Sequence, residues 1–317
     1  MQTLVFLHKK GVDVMRIAIL MTVHNRKAKT IACLQSLQDT WVPYRDSCSI
    51  EVFLTDDGCT DGTPDAIARL SLVFPVTVLD GDGSLFWNGG MLHSWKAALA
   101  AGGFDGFLWL NDDVVVLPEF WPDLREAFLY ARAHYGREGI YVGSTCDAET
   151  GAFTYGGFVY TNKLTLKDKM LPPDGTVQPC QVGHGNITYV SAEVVDKMGI
   201  FCDKYIHGGT DHDYTYLAWK AGFPVLVLPH YSAACKNDHS KDGNRPDLFA
   251  MPLKQRLSFL NSPRGLNLHN ALLFSRRCFP WRYPLILATG YFKALCPKLY
   301  YRIYLRLRGV NPPEWSK

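Results

Sequence analysis

Over the first 110 residues, short and nearly continuous apolar runs alternate with longer mixed ones. "RIAILMTV" (16–23), "IEVFLTD" (50–56), "PVTVLDG" (75–81) and "GFLWLND" (106–112) are too short for helices and rich in β-branched or aromatic residues, so they read as buried strands. Between them lie a helical run from Lys27 to Leu37, a short helix in "TPDAIARLS" and a third helix in "GGMLHSWKAALAAG" (89–102), closed by Gly102. Thr63 is the expected N-cap of the second, ahead of Pro64. Strands alternating with helices in this way predict an α/β fold with a mostly parallel sheet. Functional groups are then expected at the strand C-termini.

Beyond residue 112 the rhythm changes. A helix is expected from Glu119 to His134, followed by short runs at "IYVGSTC" (140–146) and "FTYGGFVY" (153–160), and a polar loop to about Gln181. "ITYVSAEVVDKMG" (187–199), the helix "DHDYTYLAWKAG" (211–222) and the strand "PVLVLP" (224–229) complete the body. In that helix Tyr214, Leu217, Ala218 and Ala221 share one face, and Asp211 and Asp213 sit in its first turn, where the helix dipole favours negative charge.

Charge alters this picture at one end. Residues 271–308 hold eight Lys/Arg and no acid, leaving 24 bases against 29 acids in residues 1–270. A mildly acidic body therefore carries a basic, aromatic C-terminal segment. The nine cysteines are scattered, with no C-x-x-C pair, which fits a reducing cytosol better than a disulfide framework. Residues 1–14 make a poor signal peptide and read as an N-terminal extension, and no stretch reaches the roughly 18–20 apolar residues of a spanning helix.

Three acidic clusters carry candidate chemistry. In "LTDDGCTDGT" (54–63) a strand runs into Asp56, Asp57 and Gly58. An EF-hand would need acids at alternate positions and a late glutamate, which this stretch lacks; an Asp-capped turn and a carboxylate binding a base or ribose edge both fit. In "LWLNDDVVV" (108–116) two adjacent carboxylates end an apolar strand. Hard oxygen ligands placed there suit Mg2+ or Mn2+ and leave coordination positions open for phosphate, although a solvated turn has the same residues. In "GGTDHDY" (208–214) glycines precede an acidic helix start, where a carboxylate is either a general base or an N-cap. A dehydrogenase is excluded because no G-x-G-x-x-G follows the first strand, and a nucleotidyltransferase lacks its glycine-rich phosphate loop in "MTVHNRK".

In this order, "MTVHNR", "DDGCTDGT", "NDDV" and "GGTDHDYTYLAWKAGF" resemble the family 2 inverting glycosyltransferases of GT-A fold over roughly residues 15–240. The wording "DGDGSLFWNGG" and "LWLNDDV" is most similar to rhamnosyl- or hexosyltransferases of O-antigen and capsule synthesis. The resemblance implies a nucleotide-sugar-binding half (15–118), an acceptor-binding half (119–245) and a C-terminal segment (246–317).

It also implies roles. Thr22, His24, Asn25, Arg26, Asp56 and Asp57 would bind base and ribose. Trp87, Asn88, Gly89 and Gly90 would open the helix bordering the sugar diphosphate, helped by the amides of a helix N-terminus. Trp87 either stacks on sugar or packs beside Phe86. Asp113 would be the main ligand of Mg2+ or Mn2+, with Asn111 and Asp112 nearer the donor; Asn111 replaces the first acid of the full motif. His239 would complete the metal site, with Cys235 near the position relatives give a histidine. His184, Gly185, Asn186 and Asp213 would face the acceptor, and Asp211 would be the catalytic base, with Thr210 where a Glu is usual.

The implied partners are a UDP- or dTDP-linked sugar donor and a lipid-linked saccharide acceptor, on the cytoplasmic side of a membrane. A non-catalytic nucleotide-sugar- or glycan-binding relative is the rival reading. The basic C-terminal segment fits a membrane surface or packing on the body, and no nucleic-acid-binding module accompanies it.

Overall fold

The computed structural model describes residues 14–236, 246–262 and 265–307. These divide into two compact units, residues 14–203 with 210–236, and residues 204–209 with the described residues from 246 onward. In the first unit the chain runs β1 (Met15–Val23), α1 (Lys27–Trp41), β2 (Cys48–Asp56), α2 (Thr63–Ala68), β3 (Val76–Asp80), α3 (Phe86–Ala101), β4 (Gly106–Leu110), β5 (Val115–Val116) and α4 (Phe120–Tyr135). It continues through β6 (Ile140–Cys146), β7 (Phe153–Tyr155), β8 (Gly157–Asn162), β9 (Lys167–Met170), β10 (Gln178–Pro179), β11 (Val182–Gly183), β12 (Ile187–Ser191), α5 (Ala192–Met198), α6 (Thr210–Lys220) and β13 (Val225–Ala234).

The main sheet has the order β10-β13-β6-β12-β4-β1-β2-β3, with β5 on β13 and β7 on β6; β11, β8 and β9 form a small second sheet. Strands β3, β2, β1 and β4 are parallel, and β13 is parallel to β6. Between these blocks β12 runs antiparallel to both β4 and β6. This is the mostly parallel, helix-flanked sheet expected of a GT-A fold.

Burial explains why the strand sequences are continuously apolar. On β1, Ile17, Ile19 and Met21 join a core with Leu34 and Leu37 of α1 and Trp121 and Leu124 of α4. Ala18 and Leu20 point the other way, to Met91 and Trp95 of α3 and Tyr214 of α6. Successive side chains of a strand face opposite sides, so a sheet covered on both faces needs apolar residues at every position. β4 repeats this with Leu108 and Leu110 on one face and Phe107 and Trp109 on the other.

Several boundaries depart from the sequence expectation. The third helix begins at Phe86 rather than Gly89, because a carboxylate distant in sequence receives its first amides. The N-cap of α2 is Gly62 in a left-handed conformation, and Thr63 is already helical. Asp61 supplies the acceptor there, bonding Thr63 N at 3.1 Å, and it also receives Lys27 N of α1 at 2.9 Å. The last strand runs on to Ala234, since beyond the apolar core its edge still pairs with β6 and β5.

The second unit is helical, with α7 (Pro246–Ala250), α8 (Leu253–Asn261), α9 (Leu268–Cys278), α10 (Tyr283–Leu295) and α11 (Pro297–Leu307). Its small core joins Leu260, Leu268 and Ala294. The segment 204–209 belongs with it because Asn270 Nδ2 donates to His207 O at 2.8 Å and Gly208 O at 3.0 Å.

Candidate active site

Sheet register sets the site. Val23 at the end of β1 is level with Asp56 of β2, and Asp56 with Asp80 of β3. Leu20 pairs Trp109 on the other side, so two positions on Thr22 comes level with Asn111. The sequence clusters after β1, β2 and β4 thus share one sheet edge.

Asp57 is buried, and its carboxylate organises the neighbouring loop. Oδ1 accepts from Gly83 N at 2.9 Å and Leu85 N at 3.1 Å, and Oδ2 from Phe86 N at 2.9 Å. Three of about four carboxylate acceptor sites are therefore spent on backbone amides at the start of α3. Asp57 shapes the loop that a ligand would meet. Asp56 folds back onto Cys59 N at 2.8 Å, and His24 Nδ1 lies 2.6 Å from Asp57 O. Asn25, in a left-handed conformation, accepts from Thr60 N at 2.7 Å, tying the first loop to the second.

The opening of α3 lies hard against β1. A Cβ on Gly90 would stand 2.0 Å from Thr22 Oγ1, which only glycine tolerates. Thr55 Oγ1 donates to Gly90 O at 2.9 Å and holds that approach. Asn88 is fully buried, its Nδ2 donating to Cys202 O at 3.2 Å. Trp87 packs on Phe201 at 5.5 Å and donates from Nε1 to Asn111 Oδ1 at 2.8 Å. Packing, and a hydrogen bond to the motif's odd asparagine, account for this tryptophan.

The carboxylates after β4 are held by cations at the N-terminus of α1, Arg26 just ahead of it and Lys29 in its first turn. Arg26 Nη1 lies 2.8 Å from Asp113 Oδ2 and 3.4 Å from Asp112 Oδ1, and Lys29 Nζ 3.9 Å from Asp113 Oδ2. Asp112 is 6% exposed, and its Oδ2 is buried with no hydrogen-bond partner among the described residues. Burial pushes its pKa up to about 6, against the opposing pull of Arg26 and with a further push from Asp113. Cys235 Sγ lies 3.9 Å from Asp113 Oδ1, and Asn186 Nδ2 3.9 Å from that sulfur. The structure thus brings a thiol to Asp113. His239 lies outside the described residues, and His230 is committed to Asp123 of α4, Nδ1 to Oδ1 at 3.0 Å.

Asp211, at the start of α6, has a side chain 16% exposed. Its Oδ2 accepts from Gly185 N at 2.9 Å and its Oδ1 from His212 N at 2.9 Å. Gly185 is wedged between two site groups, since a Cβ there would be 3.0 Å from the Trp87 ring and 3.2 Å from Asp211 Cβ. A chain of contacts therefore runs from Asp211 through Gly185 and Trp87 to Asn111, beside Asp112 and Asp113. His184 packs on His212 at 4.8 Å, with Nδ1 2.6 Å from Gly156 O. Burial first, then His212, lowers its pKa to about 4, so it stays neutral near pH 7. Asp213 corrects an expectation. It is 1% exposed, so an acceptor cannot reach it.

A separate cleft of about 390 Å³ is lined by Asp80, Asp82, Leu85, His93 and Lys96, with Gly89 as its one expected site residue. The carboxylates at 112, 113 and 211 lie outside its wall.

Sequence reasoning placed Cys235 near this corner while favouring His239, and it missed Asp61 as the clamp between α1 and α2. The D-G-T spacing at 61–63, with its Asx-type turn, was the available signal for the latter.

Residues 18–145, about two fifths of the chain, match the model of Glycosyl transferase family 2. No curated protein sequence matches significantly. Among solved structures, the mannosyltransferase PcManGT from Pyrobaculum calidifontis, in complex with GDP-Man and Mn2+, is similar at 15% identity and a TM-score of 0.49 over 95% of this chain and 84% of its own. GalNAc-T7 with UDP, GalNAc and Mn2+ is similar at 13% identity and a TM-score of 0.51, over 70% of this chain and 44% of its own. The second likeness extends the α/β fold assignment beyond the matched segment.

Proposed function

We propose that this protein is an inverting glycosyltransferase that moves a hexosyl or rhamnosyl unit from a nucleotide-diphosphate sugar to a hydroxyl of a lipid-linked saccharide. The setting would be bacterial O-antigen or capsule synthesis on the cytoplasmic side. The observation that carries this reading is the contact chain linking Asp211 to the Asn111–Asp113 corner through Gly185 and Trp87. A base and a diphosphate-handling corner then lie on one sheet edge, beside a family 2 match in residues 18–145.

The corner fits a divalent cation. It offers two hard carboxylates, one with an orphaned buried oxygen, restrained by a half-exposed arginine. Ion pairs at that exposure are worth about 0–1 kcal/mol, so Arg26 is readily displaced. Among the described residues no three His, Cys, Asp or Glu side chains form a ready cage, so diphosphate and water would supply the remaining ligands, the habit of Mg2+ and Mn2+. Asp113 and Asp112 would hold the ion, whose chemistry is to neutralise the departing diphosphate. Thr22, His24, Asn25, Asp56 and the loop held by Asp57 would receive the UDP or dTDP moiety. Close approach of Gly90 to Thr22 brings the α3 amides toward the same edge.

Asp211 would take the proton of the acceptor hydroxyl as that oxygen attacks the anomeric carbon from the face opposite the leaving group. Its two backbone donors, Gly185 N and His212 N, orient the carboxylate. His184 and Asn186 lie on the segment carrying that amide and would border the acceptor.

The test is Asp211→Asn. It should fold and bind UDP or dTDP as the wild type does while turnover falls on the order of 10² to 10⁴. Near-normal transfer would remove Asp211 from the mechanism. A thermal-shift screen of UDP-, dTDP- and GDP-sugars with Mn2+ names the donor, since the shift grows with concentration over Kd.

A further inference from the structure

We propose that the C-terminal unit docks on an anionic lipid surface through the outward faces of α10 and α11. Eight large apolar side chains are exposed between residues 281 and 303, among them Trp281 (49%), Leu285 (51%), Tyr291 (44%), Leu295 (50%), Leu299 (48%) and Ile303 (43%). The whole sheet-bearing unit, many times longer, exposes nine such residues. A cluster of this density on a short stretch is the mark of an interaction face.

The face is built by the helix rather than left over by it. On α10, Pro284, Leu287, Tyr291 and Leu295 recur at near-helical spacing, and all are exposed. The side next to it is the one pinned down. Ala294 and Ile286 pack with Leu260 and Leu268, and a Cβ on Gly290 would stand 2.5 Å from Leu268 Cδ1. A helix fixed through its small-residue side and presenting leucine and tyrosine outward has the usual surface pattern reversed. Leu299 and Ile303 are likewise exposed on α11, where Tyr301 is buried.

The charge around this face selects the occupant. Residues 271–308 contain no Asp or Glu, and Arg276, Arg277, Lys298 and Arg306 are exposed near the apolar stripe in sequence. Leucines flanked in sequence by bases, with Trp281 and Tyr283 ahead of them, are the residue types a bilayer interface selects, for acyl chains, the interfacial belt and anionic headgroups in turn. The same stripe of a second copy meets it poorly, because pairing residues 271–308 with themselves sets base against base with no acid to compensate. A nucleic acid would satisfy the bases but leave the leucines in water. No helix among the described residues is long and apolar enough to cross a membrane, and α10, about 20 Å long, would lie in the interface plane.

Flotation of the full chain with phosphatidylcholine vesicles, with and without phosphatidylglycerol, tests this. The protein should float with the anionic vesicles and much less with neutral ones. Tyr291→Ser with Leu295→Ser should abolish flotation at unchanged melting temperature, both side chains being exposed. Arg276→Gln with Arg277→Gln should weaken partitioning on the order of 20-fold, about fivefold per base. Failure to float with phosphatidylglycerol, or flotation indifferent to the serine pair, overturns the proposal. So does light scattering that shows a dimer split by that pair without lipid binding, or tighter binding to RNA than to vesicles. Asp211→Asn should float like wild type, so lipid docking and glycosyl transfer fail separately.

Discussion

Asp112 is the residue whose replacement says most about the site. Its pKa of about 6 in the fold, against an ordinary value of 3.8, means the native state holds its proton more tightly than the unfolded chain does. Stability therefore falls as pH rises from about 4 through 6, and above pH 6 the fold carries the full penalty of a buried carboxylate. A shift near two units corresponds to about 3 kcal/mol at 1.36 kcal/mol per unit. Asp112→Asn removes the titration. The stability difference, variant minus wild type, should move in the variant's favour by about 2–3 kcal/mol between pH 4 and pH 7.5. Urea unfolding followed by tryptophan fluorescence reads this, since Trp95 and Trp109 lie fully buried in the same unit. Saturating Mn2+ should then raise the melting temperature of the wild type and shift Asp112→Asn much less, because the variant would have lost one of the two carboxylates proposed to hold the ion. A stability difference flat with pH, or an equal Mn2+ shift in both proteins, would refute the reasoning. The burial of the Asp112 carboxylate would then be neither an electrostatic penalty nor the reason for a cation.

Two further perturbations probe how the edge is built. Asp57→Asn leaves one carbonyl oxygen for the two amides that share Oδ1 but sets an NH2 against Phe86 N, so it should cost about 1.5–3 kcal/mol and weaken nucleotide binding through the loop. Lost binding with unchanged unfolding midpoint would make Asp57 a direct ligand contact instead. Gly90→Ala forces a methyl onto Thr22 Oγ1 and should cost about 1–3 kcal/mol, partly recovered by Thr22→Gly in a double-mutant cycle of melting temperatures. Additive effects of the two changes would mean that the close approach does not govern the site.

The sequence alone determined the layers and the edge. A strand such as β1 buries both faces, so it must be apolar at every position, and this is visible without coordinates. A carboxylate that follows such a run must emerge at the strand's end, so Asp56, Asp112 and Asp113 were legible as one set. The helix start at Asp211 was legible from its glycines and acids. Tertiary structure alone decided what each carboxylate holds. The amides that consume Asp57 lie 26 to 29 residues away, and the arginine bridging Asp112 and Asp113 lies 86 and 87 residues away. Cys235 reaches Asp113 across 122 residues because β13 and β4 belong to one sheet. Local spacing shows which groups are polar and where a strand ends. Partners are fixed by strand order and register, which bring together side chains whose sequence separation carries no information about their distance.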